Sequence, residues 1–203
     1  RSLINDTLTG KFYVGIKNTI MIYNPEKEIL EKNDDFKMNS ELGYINSFVL
    51  SDDGSIWIRH TKGLARFNPV QNSIQLYQFD PSDSDNPEFI FSQLIKDSNG
   101  FIWSGSGNNR LISFDPKKEQ FKKFKLTPSE ETTLSTISSI YQDHSGIIWV
   151  GTIWRGLYKW DRKKQKFKCF NFDPFKSADG VFNRVNSIVE DSERTIWFGT
   201  DNG

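Results

Sequence analysis

Apolar positions along this chain fall into short alternating runs, each closed by a turn signal. The blocks GSIWIR (Gly54–Arg59), GFIWSG (Gly100–Gly105), GIIWVG (Gly146–Gly151) and RTIWFG (Arg194–Gly199) share one pattern, and GKFYVG (Gly10–Gly15) is a further copy with Tyr in the Trp position. Ahead of the Trp blocks stand apolar segments that end in an acidic turn, as in YINSFVLSDDG, FIFSQLIKDSNG, LSTISSIYQDHSG and FNRVNSIVEDSER. Asp or Ser opens such a turn by bonding its own backbone, and Gly54, Gly100 and Gly146 supply the left-handed residue that a bulged hairpin needs. Arg194 takes that glycine's place in the last copy, which predicts a strained or altered turn. Behind each block comes a third run, IMIYNP, LARFNP, LISFDP or LYKWDR, with an aromatic near its end and an Asn or Asp, usually followed by Pro, that stops a strand. A fourth run, IQLYQF, FKKFKL or FKCFNF, alternates apolar residues with Lys or Gln, the pattern of an outer strand wetted on one face.

The anchor aromatics Tyr13, Trp57, Trp103, Trp149 and Trp197 lie 44, 46, 46 and 48 residues apart. A period of about 40–50 residues with four antiparallel strands per unit predicts an all-β fold of β-propeller blades. No stretch suits the helical crossovers of a parallel sheet. Three complete blades are expected at about 44–79, 88–126 and 134–172. Residues 1–33 are expected to supply strands two to four of a partial blade, and residues 182–203 the first two strands of another, so 1–33 and 182–200 could join as one composite blade. That makes about four to five repeats, read as part of a longer, seven-bladed propeller, with unpaired sheet edges that favour association. First strands are expected to line the channel through Asn46, Ser47, Ser92, Ser138, Ser139, Asn186 and Ser187, and the Trp strands to be buried between blades.

Composition narrows the chemistry. Trp, Tyr and Phe make 14% of the chain, which suits strands. Lys plus Arg equals Asp plus Glu at 26 each, so no net field draws the protein to nucleic acid. A single cysteine, Cys169, excludes an internal disulfide, and two histidines exclude a histidine-rich metal centre. No apolar run approaches the roughly 18–20 residues of a membrane span, so membrane association is expected only through segments outside these residues.

The compound pattern DHSGIIWVGTIWRGL (Asp143–Leu157), with relatives DSERTIWFGTDNG, DSNGFIWSGSGNNRL and SDDGSIWIRHTKGL, resembles the two-component regulator propeller repeat. The second copy departs from it with Arg59-His60 in place of Gly-Thr, and the third with Ser106 in place of Thr. The resemblance implies a periplasmic sensor ectodomain of a hybrid two-component regulator, non-enzymatic, homodimeric in the full-length protein and coupled to a kinase. It implies a glycan-derived signal such as an oligosaccharide. A protein-interaction scaffold and a propeller glycan lyase or glycosidase are the alternatives.

The repeating Trp residues read as scaffold, whereas Trp154 stands alone in the loop between strands two and three, beside Arg155. Loops of that kind and the blade-to-blade connections emerge on one propeller face. Arg59, His60, Asn108, Asn109, Arg110, Trp154 and Arg155 are the candidate ligand-binding residues there, suited to hydroxyls and to acidic sugars. No catalytic residue, metal site or cofactor is assigned. The acidic loop Asp80–Glu88 is a weak match to a Ca²⁺ site, since it lacks the glycine and spacing of a known loop. Cys169 lies on an outer strand with no histidine near, His144 reads as a solvated turn tip, and Lys117, Lys118, Lys122, Lys123 and Lys125 as a solvated basic edge.

Overall fold

A computed structural model describes residues 2–6, 10–17, 19–33, 44–79, 93–105, 110–126, 136–161, 164, 166–170 and 184–201. Every element among them is a strand, and every sheet runs in chain order with antiparallel neighbours. The chain divides into two compact units, Arg1–Asn86 and Pro87–Gly203.

The first unit holds two four-stranded sheets. The first contains β1 (Ser2–Asp6), β2 (Lys11–Ile16), β3 (Thr19–Asn24) and β4 (Ile29–Lys32), and the second β5 (Ile45–Leu50), β6 (Ile56–His60), β7 (Gly63–Asn68) and β8 (Ser73–Gln78). Here the structure corrects the sequence expectation, because Ser2–Asp6 pairs along Lys11–Gly15 and gives the first sheet a fourth strand of its own. The first sheet therefore needs no strand from residues 182–200. The alternation in SLIND is too short and too polar to announce a strand by itself. Between the two sheets lies a core of Tyr13, Ile20, Ile45, Phe48, Ile56, Ile58, Ala65 and Phe67. Tyr13 meets Phe67 edge to face with centroids 6.4 Å apart, the geometry that the ring quadrupoles favour.

The second unit holds the third sheet, β9 (Leu94–Lys96), β10 (Ile102–Gly105), β11 (Arg110–Asp115) and β12 (Gln120–Lys125), and the fourth, β13 (Ile137–Gln142), β14 (Ile148–Thr152), β15 (Leu157–Asp161) and β16 (Lys166–Phe170). A two-stranded sheet of β17 (Val185–Glu190) and β18 (Ile196–Thr200) follows. Trp103, Leu111 and Leu126 pack with Ile137, Ile140, Ile148, Val150, Tyr158 and Trp160 in one core.

Period-two alternation sends neighbouring residues of each second strand to opposite faces, and in the second, third and fourth sheets the Trp of that strand lies beside an aromatic of the fourth strand. Trp57 lies beside Tyr77 at 5.5 Å, Trp103 stacks on Phe124 at 5.6 Å and Trp149 lies beside Phe170 at 6.0 Å. Cations complete the row: Arg66 sits over Trp57, Lys159 over Trp149, Lys122 over Phe124 and Lys168 over Phe170. The ammonium groups of these lysines thus lie over aromatic faces, drawn by the negative face of each ring.

The acidic turn proves to do two jobs. Asp97 Oδ1 accepts the amides of Asn99 and Phe101 at 2.8 and 3.0 Å, and its Oδ2 accepts the indole N–H of Trp103 at 2.9 Å. Asp143 repeats this with the amides of Ser145 and Ile147 and the indole of Trp149 at 2.7 Å. Asp191 does so with Glu193, Thr195 and Trp197 at 2.6 Å. One carboxylate therefore fixes a turn and the Trp six residues on. In the second sheet Ser51 stands at this position, and Asp53 instead accepts the Ser55 amide and pairs with Arg66, which lies over Trp57.

The turns also reach across sheets. The Ser98 amide donates to Gln142 Oε1 at 2.7 Å, and the His144 amide to Glu190 Oε2 at 2.8 Å. In both cases the residue after a clasping Asp binds the residue before the next one. The His144 ring also contacts Glu190, so this turn tip is a link to the neighbouring sheet.

Glycine is required where the sheets approach most closely. A Cβ on Gly105 would lie 2.5 Å from Ile137 Cβ, and one on Gly151 2.3 Å from Ser139 Oγ and 2.7 Å from Val185 Cγ1. Arg194 takes the left-handed conformation anticipated for it, with φ +69°.

Three outcomes follow. Burial alone would raise the Asp143 carboxyl, but the bonds from Ser145, Trp149 and Ile147 outweigh it and hold the pKa below the usual carboxylate range. A depressed folded pKa gives stability that is present above about pH 4 and lost as pH falls through the folded value. Asp143→Asn is expected to cost about 1–3 kcal/mol at neutral pH and to flatten the acid limb of the stability curve, read by urea titration. Gly105→Ala is expected to cost about 1–3 kcal/mol by overpacking against Ile137, read the same way. Arg194→Gly is expected to stabilise the fold by up to about 1 kcal/mol, because the left-handed backbone no longer carries a Cβ, read as a raised Tm.

Candidate functional site

The end of each sheet that carries the loop between its second and third strands is also where the chain enters or leaves the sheet. Phe79, just past β8, donates its amide to the Lys62 carbonyl in the β6–β7 turn at 3.1 Å, and Ile153 in the β14–β15 loop donates to Thr136 just before β13 at 3.0 Å. This is the loop face expected from the sequence.

The β14–β15 loop is braced from inside. Thr152 is fully buried, its hydroxyl donates to the Gly156 carbonyl at 2.9 Å and accepts the Arg155 amide at 3.0 Å, and its own amide donates to the same carbonyl. Gly156 closes the loop at φ +79°, a conformation that suits glycine. Trp154, held at the apex of this frame, is 46% exposed, while Arg155 is half-buried. The Arg155 carbonyl accepts the Cys169 thiol at 3.5 Å. Packing around the Cys169 sulfur raises the thiol pKa against the opposing pull of Tyr158 and Arg155, so it is protonated at neutral pH and a poor nucleophile.

Arg59 and His60 require a correction. Expected on an open loop, they are the last residues of β6 and are buried, at 1% and 0% exposure. Arg59 stands where Gly15, Gly105, Gly151 and Gly199 stand in the other copies. Its Nη1 donates to the Gly63 carbonyl at 3.4 Å, its guanidinium lies over the Phe79 ring at 5.5 Å, and burial lowers its pKa. His60 Nδ1 accepts the Lys62 amide at 3.2 Å. Both side chains thus brace the β6–β7 turn. Hairpin length explains the error: the turn spans only Thr61 and Lys62, so the strand runs on through residues that polarity alone assigns to a loop.

Arg110 opens β11 and is half-buried. Asn108 and Asn109, and the acidic loop Asp80–Glu88, lie outside the described residues. Among the described residues no three His, Cys, Asp or Glu side chains gather as metal ligands would. The structure therefore brings Trp154 and Arg155 together on one loop and Arg59 and His60 together on one strand. Thr152 was missed by the sequence reading; its signal was the Gly-Thr that follows Trp149.

Residues 133–154 and 179–202 match the family model described as Two component regulator propeller. No curated protein matches the chain. Among solved structures, the extracellular domain of a hybrid two component system of B. thetaiotaomicron matches over 99% of this chain and 26% of its own, at 22% identity and a TM-score of 0.75. A second such domain from the same organism matches over 100% and 27%, at 18% identity and a TM-score of 0.73. Virginiamycin B lyase of Staphylococcus aureus matches over 97% and 61%, at 15% identity and a TM-score of 0.71. The chain thus spans about a quarter of the length of the two ectodomains it matches. Two segments of this chain, which hold β13–β14 and β17–β18, match the Two component regulator propeller model, and its antiparallel sheets share the fold of the solved structures it resembles.

Proposed function

We propose that this chain is part of the periplasmic sensor propeller of a hybrid two-component regulator, which binds a glycan-derived ligand and passes the signal to a kinase elsewhere in the protein. The observation that carries this reading is Trp154, a large aromatic left 46% exposed at the apex of a loop whose backbone is fixed by Thr152 and Gly156. An indole carried at the surface on a fixed loop stacks on a sugar ring at little entropic cost, and the next residue, the half-buried Arg155, brings a guanidinium of the kind that suits a carboxylate or sulfate. The repeat match and the likeness to ectodomains of two component systems support the sensor role. The likeness to a lyase is one of fold, and the first strands INSFVL, ISSIYQ and VNSIVE carry Ser and Asn at their centres instead of facing carboxylates. Binding without catalysis is the reading those strands favour. Signalling further requires that the ligand bind two states of the receptor with different free energies.

Thermal shift and calorimetry against acidic and neutral oligosaccharides test the proposal. A true ligand at about 100 times its Kd adds about 2.7 kcal/mol of stability and raises Tm. Trp154→Ala is expected to abolish the shift without lowering the Tm of the unliganded protein. No shift with any sugar, or a shift retained by the variant, contradicts the assignment.

A further inference from the structure

Each of the four-stranded sheets ends in an outer strand, β4, β8, β12 or β16, that has no neighbour on its far side among the described residues. Such an edge presents a row of backbone N–H and C=O groups with which another strand can pair, and charged side chains along it, lysine above all, discourage that pairing. Strand register shows which edges are guarded in this way. Tyr13, Ile22 and Glu31 form one cross-strand row, and Trp57, Arg66 and Gln75 form its equivalent in the second sheet. Trp103, Ser113 and Lys122, then Trp149, Lys159 and Lys168, are the same row in the third and fourth. The next residue along each outer strand is Lys32, Leu76, Lys123 or Cys169 in turn.

β8 is the exception among these outer strands. Its sequence, SIQLYQ, includes no charged residue and no proline, whereas β4 carries Glu31 and Lys32, β12 carries Lys122, Lys123 and Lys125, and β16 carries Lys166 and Lys168. β8 is also regular, pairing with β7 from Ser73 to Gln78 without a bulge to twist the edge away. Ser73, Gln75, Leu76 and Gln78 are exposed, and Leu76, at 42%, sets an apolar side chain near the middle of the strand.

We propose that β8 of one copy pairs with β8 of a second copy, antiparallel about a two-fold axis at Leu76, and joins the two sheets edge to edge. A second copy is the indicated occupant because β8 is complementary to itself. Pairing about Leu76 sets that side chain against the partner's Leu76, Gln75 against the partner's Tyr77 and Ile74 against the partner's Gln78, so apolar surface is covered and no charge meets a like charge. The same pairing of β4 sets Lys32 against Lys32, and that of β12 sets Lys123 against Lys123, which is destabilising. The contact uses one patch on both partners, so it closes at the dimer.

Sedimentation velocity of the 203-residue protein over a wide concentration range, beside Leu76→Lys, tests this. The substitution gives β8 the residue that β4 and β12 carry at the same place, and circular dichroism and Tm confirm that the variant folds. The wild type is expected to show a monomer–dimer equilibrium, and Leu76→Lys to stay monomeric throughout. Directly opposed residues of an antiparallel pair lie about 4.5–5.5 Å apart at Cα, within disulfide reach. Leu76→Cys in a Cys169→Ser background is therefore expected to oxidise to a covalent dimer at least about tenfold faster than Val70→Cys, an exposed turn position, in the same background. A wild type that stays monomeric, a Leu76→Lys protein that dimerises as the wild type does, or equal cross-linking at positions 76 and 70 would each overturn the proposal.

Discussion

Each blade is organised around the aromatic at the centre of its second strand. That ring has three demands to satisfy at once: a partner for its indole N–H, neighbours within its own sheet, and a surface on which to lay its remaining face. The first is met by the acidic turn, where Asp97, Asp143 and Asp191 each hold the indole six residues on. The second is met by an aromatic on the fourth strand and by cations such as Arg66 and Lys159. The third is met by the next sheet, which needs glycine at positions such as 105 so that its first strand comes close. Turn, strand and inter-sheet packing are therefore coupled through one side chain. A buried N–H without an acceptor costs about 1–3 kcal/mol, which explains why the turn that serves it recurs in the same form.

The regular part of this was legible in the sequence, for a physical reason. Period-two alternation, turn glycines and a recurring Trp report local geometry, and local geometry repeats with the blade. The left-handed Arg194 was legible too, because Gly54, Gly100 and Gly146 showed what its position demands. What escaped was non-local. The bond from Asp to Trp joins residues six apart through a turn, and the acidic residue was fully accounted for as a turn former. The Gln142 and Glu190 links join residues 44 and 46 apart, and neither type advertises such a role. Trp197 was expected to be buried with its counterparts, yet its two-stranded sheet leaves it 59% exposed.

The candidate site shows the same division. Trp154 was found because it breaks the repeat in a place where the scaffold does not need an aromatic, and the structure leaves it accessible on a braced loop. Arg59 and His60 also break the repeat, but the break is absorbed by packing. A guanidinium where four other copies carry glycine fills space against Phe79 and caps a carbonyl instead of facing solvent. A departure from a repeat thus marks a residue with its own task, and burial decides whether that task is recognition or support.

The central claim, that Asp97, Asp143 and Asp191 each hold the indole six residues on, is tested most directly by hydrogen exchange at the six indole N–H groups, resolved by NMR. The indoles of Trp103 and Trp149 should exchange as slowly as the strand amides around them, and Asp143→Asn should speed Trp149 while leaving Trp103 unchanged. Exchange at Trp103 and Trp149 as fast as in the urea-unfolded chain, or a Trp149 rate unchanged by Asp143→Asn, would contradict the account.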